Sequence, residues 1–299
     1  MKEKPISVII DCDPGVDDVI ALALAFRSRK LNLLGITTIN GNSTIENTTN
    51  NAARACRMMQ RKIPVYPGAA KPMCRAFLFD PAYCGMDGLC DSELQPDRAV
   101  IQTQSALAFF KKTLLQTTEP ITIVSIASMT NLAQLLKTAP EVKGHIKEIV
   151  TIAGYYGLNP AAGRAEWNIL YDPEAAQIVF AAGVPVRALG LDVTSRLKCE
   201  YAEELLNESS GEFRNFLQHS LQFVNEKQMN PAGILVDAMA VAAVICPALA
   251  TYRRGVVRVN PACSDSHLTE FSERKGGNVL AAETFDFSSY MKLFRKQDE

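Results

Sequence analysis

The sequence has no CxxC pair, few histidines, no long apolar run and no excess of charge, and each shortage removes a class of function. Its eight cysteines (Cys12, Cys56, Cys74, Cys84, Cys90, Cys199, Cys246, Cys263) are scattered. That spacing argues against a structural zinc site, and in a large intracellular chain against a disulfide framework. Three histidines (His145, His219, His267) leave little room for imidazole chemistry. Thirty-one basic against 32 acidic residues, a net charge of -1, exclude nucleic-acid binding driven by bulk charge. No apolar run approaches the roughly 20 residues of a membrane-spanning helix. The first residues make a poor signal peptide, because their short apolar run leads straight into acids; a cytoplasmic protein is expected. No repeat, linker or low-complexity stretch interrupts the 299 residues, so a single domain over 1–299 is the expectation.

What is present is ordinary globular material, 47% hydrophobic and 21% charged, in an alternating pattern. Short β-branched runs at Ile6 to Ile10, Leu33 to Ile39, Ile63 to Tyr66, Ile121 to Ile126, Ile149 to Ile152 and Val184 to Leu189 read as strands. Helical patterns fall at Val19 to Phe26, Ile45 to Met59, Asn131 to Lys137, Pro173 to Ala182, Gly211 to Gln228 and Asp237 to Ile245. This alternation predicts an α/β fold: a mostly parallel central sheet with a Rossmann-like core, flanked by helices. The C-terminal part is mixed, with a hairpin expected from Val256 to Ala282. Ligands in such sheets bind at the carboxyl ends of the strands.

The first strand leads into Asp11-Cys-Asp-Pro-Gly-Val-Asp-Asp18, four carboxylates within eight residues. Like charges packed about 4–6 Å apart raise one another's pKa, so the cluster calls for a neutralising cation. Oxygen-only ligands suit Ca²⁺ or Mg²⁺. The plainer alternative is a solvated acidic turn in which Asp17 or Asp18 caps the next helix. Asp237, opening an apolar helix, is a second candidate ligand or a simple cap. The Glu166-Trp167-Asn168 and Asn40-Gly41-Asn42 segments also follow strands and offer amides and a carboxylate.

These residues carry a resemblance. The chain is similar to the inosine/uridine-type nucleoside hydrolases through Asp11 to Asp18, Gly35-Ile-Thr-Thr-Ile-Asn-Gly-Asn42, Cys84-Gly-Met-Asp-Gly-Leu89 and Met129-Thr-Asn-Leu-Ala133. Further matches are Ala165-Glu-Trp-Asn168, Asp172-Pro-Glu-Ala-Ala176, Gly190-Leu-Asp-Val-Thr194 and Val236-Asp237. The resemblance implies cleavage of a ribonucleoside, a small-molecule substrate, to ribose and base. It also implies a homodimer or homotetramer. It makes Asp13, Asp18, Asp237 and the backbone carbonyl of Ile126 ligands of Ca²⁺, with Asp13 also the base that takes a proton from water. Asp17, Asn42 and Asn168 would hold ribose hydroxyls and Glu166 the 5′-hydroxyl end. Asn159 is an offset counterpart of a further sugar-binding asparagine, and Trp167 is placed to stack on a base or to pack.

The base end departs from the family pattern. Val236 stands where many relatives have a catalytic histidine, and Cys84 replaces a second pocket histidine. Cys84 is then a candidate acid for the leaving base, since a thiol near its usual pKa of about 8.5 carries its proton at neutral pH, or a spacer. Ser220, Val224 and Gln228 occupy positions that are often aromatic or basic. Two other readings remain open: a ribosyl-binding homologue without chemistry, and a haloacid-dehalogenase-type phosphatase using Asp11 and Asp13. The second lacks a later acidic pair and has Gly15 where a Thr or Val is expected.

Overall fold

The computed structural model describes residues 4–77 and 79–295. Strand and helix alternate through β1 (Ile6–Cys12), α1 (Val16–Arg27), β2 (Leu31–Thr38), α2 (Ile45–Met58) and β3 (Val65–Pro67). The single turn α3 (Pro81–Cys84), α4 (Ala106–Gln116), β4 (Ile121–Ser125), α5 (Thr130–Thr138) and β5 (Ile146–Ile152) follow. Next are α6 (Trp167–Tyr171), α7 (Pro173–Ala181), β6 (Val186–Leu189), α8 (Leu191–Thr194), α9 (Glu200–Glu208), α10 (Gly211–Glu226) and α11 (Ala238–Ile245). Then come β7 (Ala250–Val259), β8 (Thr269–Glu273), β9 (Val279–Phe285) and α12 (Phe287–Lys292).

One nine-stranded sheet in the order β3-β2-β1-β4-β5-β6-β9-β7-β8 carries these elements. Every pairing from β3 to β9 is parallel, and β7 is antiparallel to both β9 and β8. The strands alternate between two apolar layers. Val8, Ile10, Val124 and Val150 face the layer containing α1, α2, α10 and α11, whereas Ile9, Ile123 and Ile149 face that of α4, α5 and α7. Both faces are covered, which is why these strands read as unbroken apolar runs. The expected hairpin at Val256 to Ala282 is instead three strands. Its β7–β8 arms pair, but Ala282 lies in β9, which inserts between β6 and β7.

Two features of the fold set the site. The chain moves outward from β1 to β2 on one side and to β4 on the other, so a crevice opens between the carboxyl ends of β1 and β4. Beneath it, α1 is buried from Asp18 to Phe26 and packs on α11, every residue of which is buried. The small side chains of Ala238, Ala240, Ala242 and Ala243 let the two helices approach closely. That contact brings the start of α11 to the acidic loop.

Candidate active site

The acidic loop is built by its own backbone. Asp18, in the first turn of α1, accepts hydrogen bonds from the Gly15 amide at 2.9 Å and the Asp13 amide at 3.2 Å. It therefore closes the loop and helps to start the helix, so the capping alternative and the charge cluster coexist in one side chain. Asp13 is buried, and its Oδ2 accepts from the Asn42 amide at 2.8 Å. A Cβ on Gly41 would fall 1.9 Å from that oxygen, so only glycine lets the backbone close over the carboxylate. The Asn42 side-chain Nδ2 donates to the Asp13 carbonyl (3.1 Å) and to Asp18 Oδ2 (3.2 Å).

Carboxylate oxygens of Asp17, Asp18 and Asp237 lie within 4.8 Å of one another. Asp237 occupies the cap position of α11 without capping it. The chain enters through a 3-10 turn at Pro231–Leu235 and is already helical at Asp237, and the Met239 amide is taken by the Val236 carbonyl. The carboxylate is thereby free to meet the acidic loop. Burial, reinforced by Asp17, Asp18 and Asp13, pushes the Asp237 carboxyl well above the usual range. Burial and then Asp18 do the same to Asp13; burial and then Asp17 do so to Asp18. Asp17, half-buried, is pushed up to about 6, chiefly by burial. Among the described residues no basic side chain pairs with any of the four. Buried carboxylates facing one another without a counter-charge are what an oxygen-preferring divalent cation neutralises, and the donor set fits one.

Of the expected ligands, Asp18 and Asp237 belong to this converging trio together with Asp17, which was expected on the sugar. Asp13 is not one of the three and is bound to the Asn42 amide. The Ile126 carbonyl accepts from Asn168 Nδ2 at 3.2 Å, while the Ile126 amide donates to the Asp11 carbonyl at 2.9 Å, tying β4 to β1. Asn168 Nδ2 also donates to the Ile152 carbonyl at 3.0 Å. Glu166 is buried at the cap of α6; Oε2 accepts from the Gly154 and Ile169 amides, and Oε1 accepts from Asn168. Burial raises its pKa against those bonds. Trp167 is 56% exposed, its ring 6.5 Å from that of Tyr171. Asn159 lies apart in a loop gathered by Asp192, whose carboxylate accepts the Tyr156, Leu158 and Asn159 amides. Its side chain reaches the Asp192 carbonyl and Ser195 Oγ.

Cys84 ends α3, with Sγ 3.3 Å from Asn42 Oδ1. Burial, with Asp17 next, pushes its thiol well above the usual range, so it keeps its proton. Asp11 is wholly buried, bonded by Thr37 (2.6 Å) and Asn131 (2.8 Å), and raised to about 6, largely by burial. Its burial removes it as a phosphatase nucleophile. Ser220 and Val224 are core residues of α10, and His219 Nε2 donates to the Cys90 carbonyl at 2.9 Å, not to the carboxylates.

Residues not singled out from the sequence complete the site's frame. Asn51 Nδ2 donates to the Pro14 and Asp87 carbonyls, each at 2.8 Å, and Arg54 bridges Asn51 Oδ1 and Asp87. Asn131 Nδ2 donates to Asp11 and to the Thr38 carbonyl, and its Oδ1 accepts from Ala69. Asn131 lay inside a quoted motif; Asn51 and Arg54 had no local signal beyond polarity on the inner face of α2.

Comparisons with known proteins agree with this geometry. A family model described as inosine-uridine preferring nucleoside hydrolase matches residues 8–292. The pyrimidine-specific ribonucleoside hydrolase RihA of Salmonella agona (strain SL483) is 42% identical over 197 residues, 66% of this chain and 63% of that protein. The protein of the same name from Escherichia coli O9:H4 (strain HS) is 43% identical over 190 residues, 63% of this chain and 61% of its own. The match thus spans somewhat under two thirds of these relatives' length. A solved purine-preferring ribonucleoside hydrolase from Gardnerella vaginalis superposes with a TM-score of 0.85 at 27% identity over 96% of both chains. A plant nucleoside hydrolase does so with a TM-score of 0.82 at 26% identity over 98% of both.

Proposed function

The chain belongs to the inosine-uridine preferring nucleoside hydrolase family, and from that premise we propose that it hydrolyses the N-glycosidic bond of a ribonucleoside to ribose and free base. The observation that carries the reading is the meeting of Asp17 and Asp18 with Asp237, more than 200 positions away in the chain, within 4.8 Å at the sheet's crevice. Asp18 and Asp237, with Asp13 and the Ile126 carbonyl, are the residues that would hold Ca²⁺. Bound there, the ion supplies a more acidic water and a grip on a sugar diol.

This chain's own residues supply the rest. Departure of the base leaves positive charge on the ribosyl ring, and the surrounding carboxylates stabilise it. Asp13, fixed by the Asn42 amide, takes the proton of the attacking water. Asp17, Asn42 and Asn168 hold the ribose hydroxyls; Oε1 of Glu166, which has accepted one amide where Oε2 has accepted two, retains a lone pair for the 5′-hydroxyl. Such positioning contributes several kcal/mol when the reacting atoms are aligned (order of magnitude). Trp167, exposed beside Asn168, is placed to cover the base. A cytoplasmic homodimer or homotetramer is the setting the family resemblance supports.

The test incubates the purified protein with uridine, cytidine, inosine, guanosine and modified purines such as queuosine, in Ca²⁺ and in chelator, with free ribose as readout. Ribose release that chelator abolishes is expected. Binding of ribosides without release across the panel would replace the hydrolase with a ribosyl-binding homologue. The panel extends to modified purines because Val236 and Cys84 alter the base end; efficient turnover of uridine or inosine would make that extension unnecessary.

A further inference from the structure

We propose that Cys84 is a positioning residue that locks the orientation of the Asn42 amide, and not the acid that protonates the leaving base. The inference rests on the hydrolase reading above, because Asn42 matters as part of that site.

Every polar atom of the Asn42 side chain is engaged. Nδ2 donates to the Asp13 carbonyl and to Asp18 Oδ2, and Oδ1 accepts from the Cys84 thiol at 3.3 Å. Rotating the amide by half a turn would set Oδ1 against two oxygens and its N–H groups against a sulfur whose proton already points inward. The two aspartate oxygens thus set the amide orientation, and the thiol secures it by supplying the donor that Oδ1 meets in that orientation.

For this to work, residue 84 must be held rigidly against the acidic loop, and it is. The Cys90 amide donates to the Cys84 carbonyl at 2.6 Å. The Cys90 carbonyl lies 2.9 Å from His219 Nε2 on α10. On the other side Asn51 bridges the Pro14 and Asp87 carbonyls, and Arg54 locks Asn51 to Asp87. These bonds fasten the 84–91 segment to both α2 and α10. A thiol whose hydrogen is committed to Asn42 is not offered to a base.

The test compares Cys84→Ala with Cys84→Ser, which keeps a donor. Each is assayed on a nucleoside the wild type cleaves and on 4-nitrophenyl riboside, whose leaving group needs no proton, and each is titrated with Ca²⁺ by calorimetry. Loss of the thiol is expected to lower kcat/KM on both substrates by roughly two- to tenfold, the weight of one hydrogen bond, and to weaken Ca²⁺ binding by a similar factor. Serine should recover most of both. Should the alanine variant fold poorly, Cys84→Val carries the same expectation with the volume filled. A loss confined to the nucleoside would make Cys84 the acid and overturn the proposal, as would unchanged Ca²⁺ affinity. If the wild type cleaves no riboside, the hydrolase reading fails, yet the titration still decides: weakening by alanine that serine reverses sustains the positioning role, and equal affinities end it.

Discussion

Asp237→Asn should stabilise the metal-free protein and at the same time weaken its hold on Ca²⁺. The substitution keeps the shape of the side chain and removes one of three carboxylate charges within 4.8 Å of one another. At that distance and an effective dielectric of about 20, each fully ionised pair repels by about 3.5 kcal/mol. Proton uptake already relieves part of this, since burial and neighbouring acids raise Asp237 well above the usual range. Loss of a charge at the start of α11 gives back about 0.3–1 kcal/mol. A net gain of about 1–3 kcal/mol remains, or a Tm higher by about 2–12 °C in chelator at 2–4 °C per kcal/mol. With Ca²⁺ present that gain is offset. Removing one charged ligand oxygen should raise Kd by about a hundredfold, which takes about 2.7 kcal/mol from the ligand-linked stabilisation. Thermal melts of both proteins, with excess Ca²⁺ and with chelator, read both effects. A variant that melts below the wild type in chelator, or one that Ca²⁺ stabilises as much as the wild type, would refute the reasoning.

Three further outcomes follow from the same geometry. Burial raises Asp11 and Asp17 to about 6 and pushes Asp13, Asp18 and Asp237 well above the usual range, so the folded apo protein binds protons the unfolded chain does not. Its stability in chelator should therefore rise as pH falls through about 6 and level off near the ordinary carboxylate pKa of about 4; because Ca²⁺ competes with those protons, its Tm increment should grow as pH rises, and a pH-independent increment would contradict this. Gly41→Ala places a methyl 1.9 Å from Asp13 Oδ2 and should lower kcat by at least about a hundredfold while a circular-dichroism spectrum stays native; full activity would show that Asp13 is not the base. Asn131→Ala strips partners from Asp11, the Thr38 carbonyl and the Ala69 amide, and urea unfolding should show a loss of about 2–4 kcal/mol; a change below about 0.5 kcal/mol would mean that those groups find other partners.

Much of the frame was legible because periodicity reports burial. The apolar runs that became β1, β2, β4 and β5 are buried on both faces, and nothing else makes a five- to eight-residue β-branched run in an α/β chain. The Val256 to Ala282 segment misled because pairing partners are not written in local pattern: β9 looks like the return arm of a hairpin, yet one of its edges was already waiting at β6. At the site, four acids in one loop announced a cation, but not which oxygens converge. That choice depends on the first turn of α1, where Asp17 and Asp18 point to different neighbours, and on the helical entry at Asp237 that turns its carboxylate away from capping. The Cys84 to Asn42 bond was out of reach, since it joins two loops 42 positions apart and neither residue type advertises the other.

The placement of β9 also bears on how the molecule is made. A ribosome delivers β6 and β7 well before Val279–Phe285, the strand that must lie between them. Until that stretch emerges, each of the two exposes an unsatisfied edge, the arrangement most prone to pairing with a neighbouring nascent chain. Completion of the sheet thus waits for β9, and a chain cut short before Val279 would carry two sticky borders and no means of sealing them.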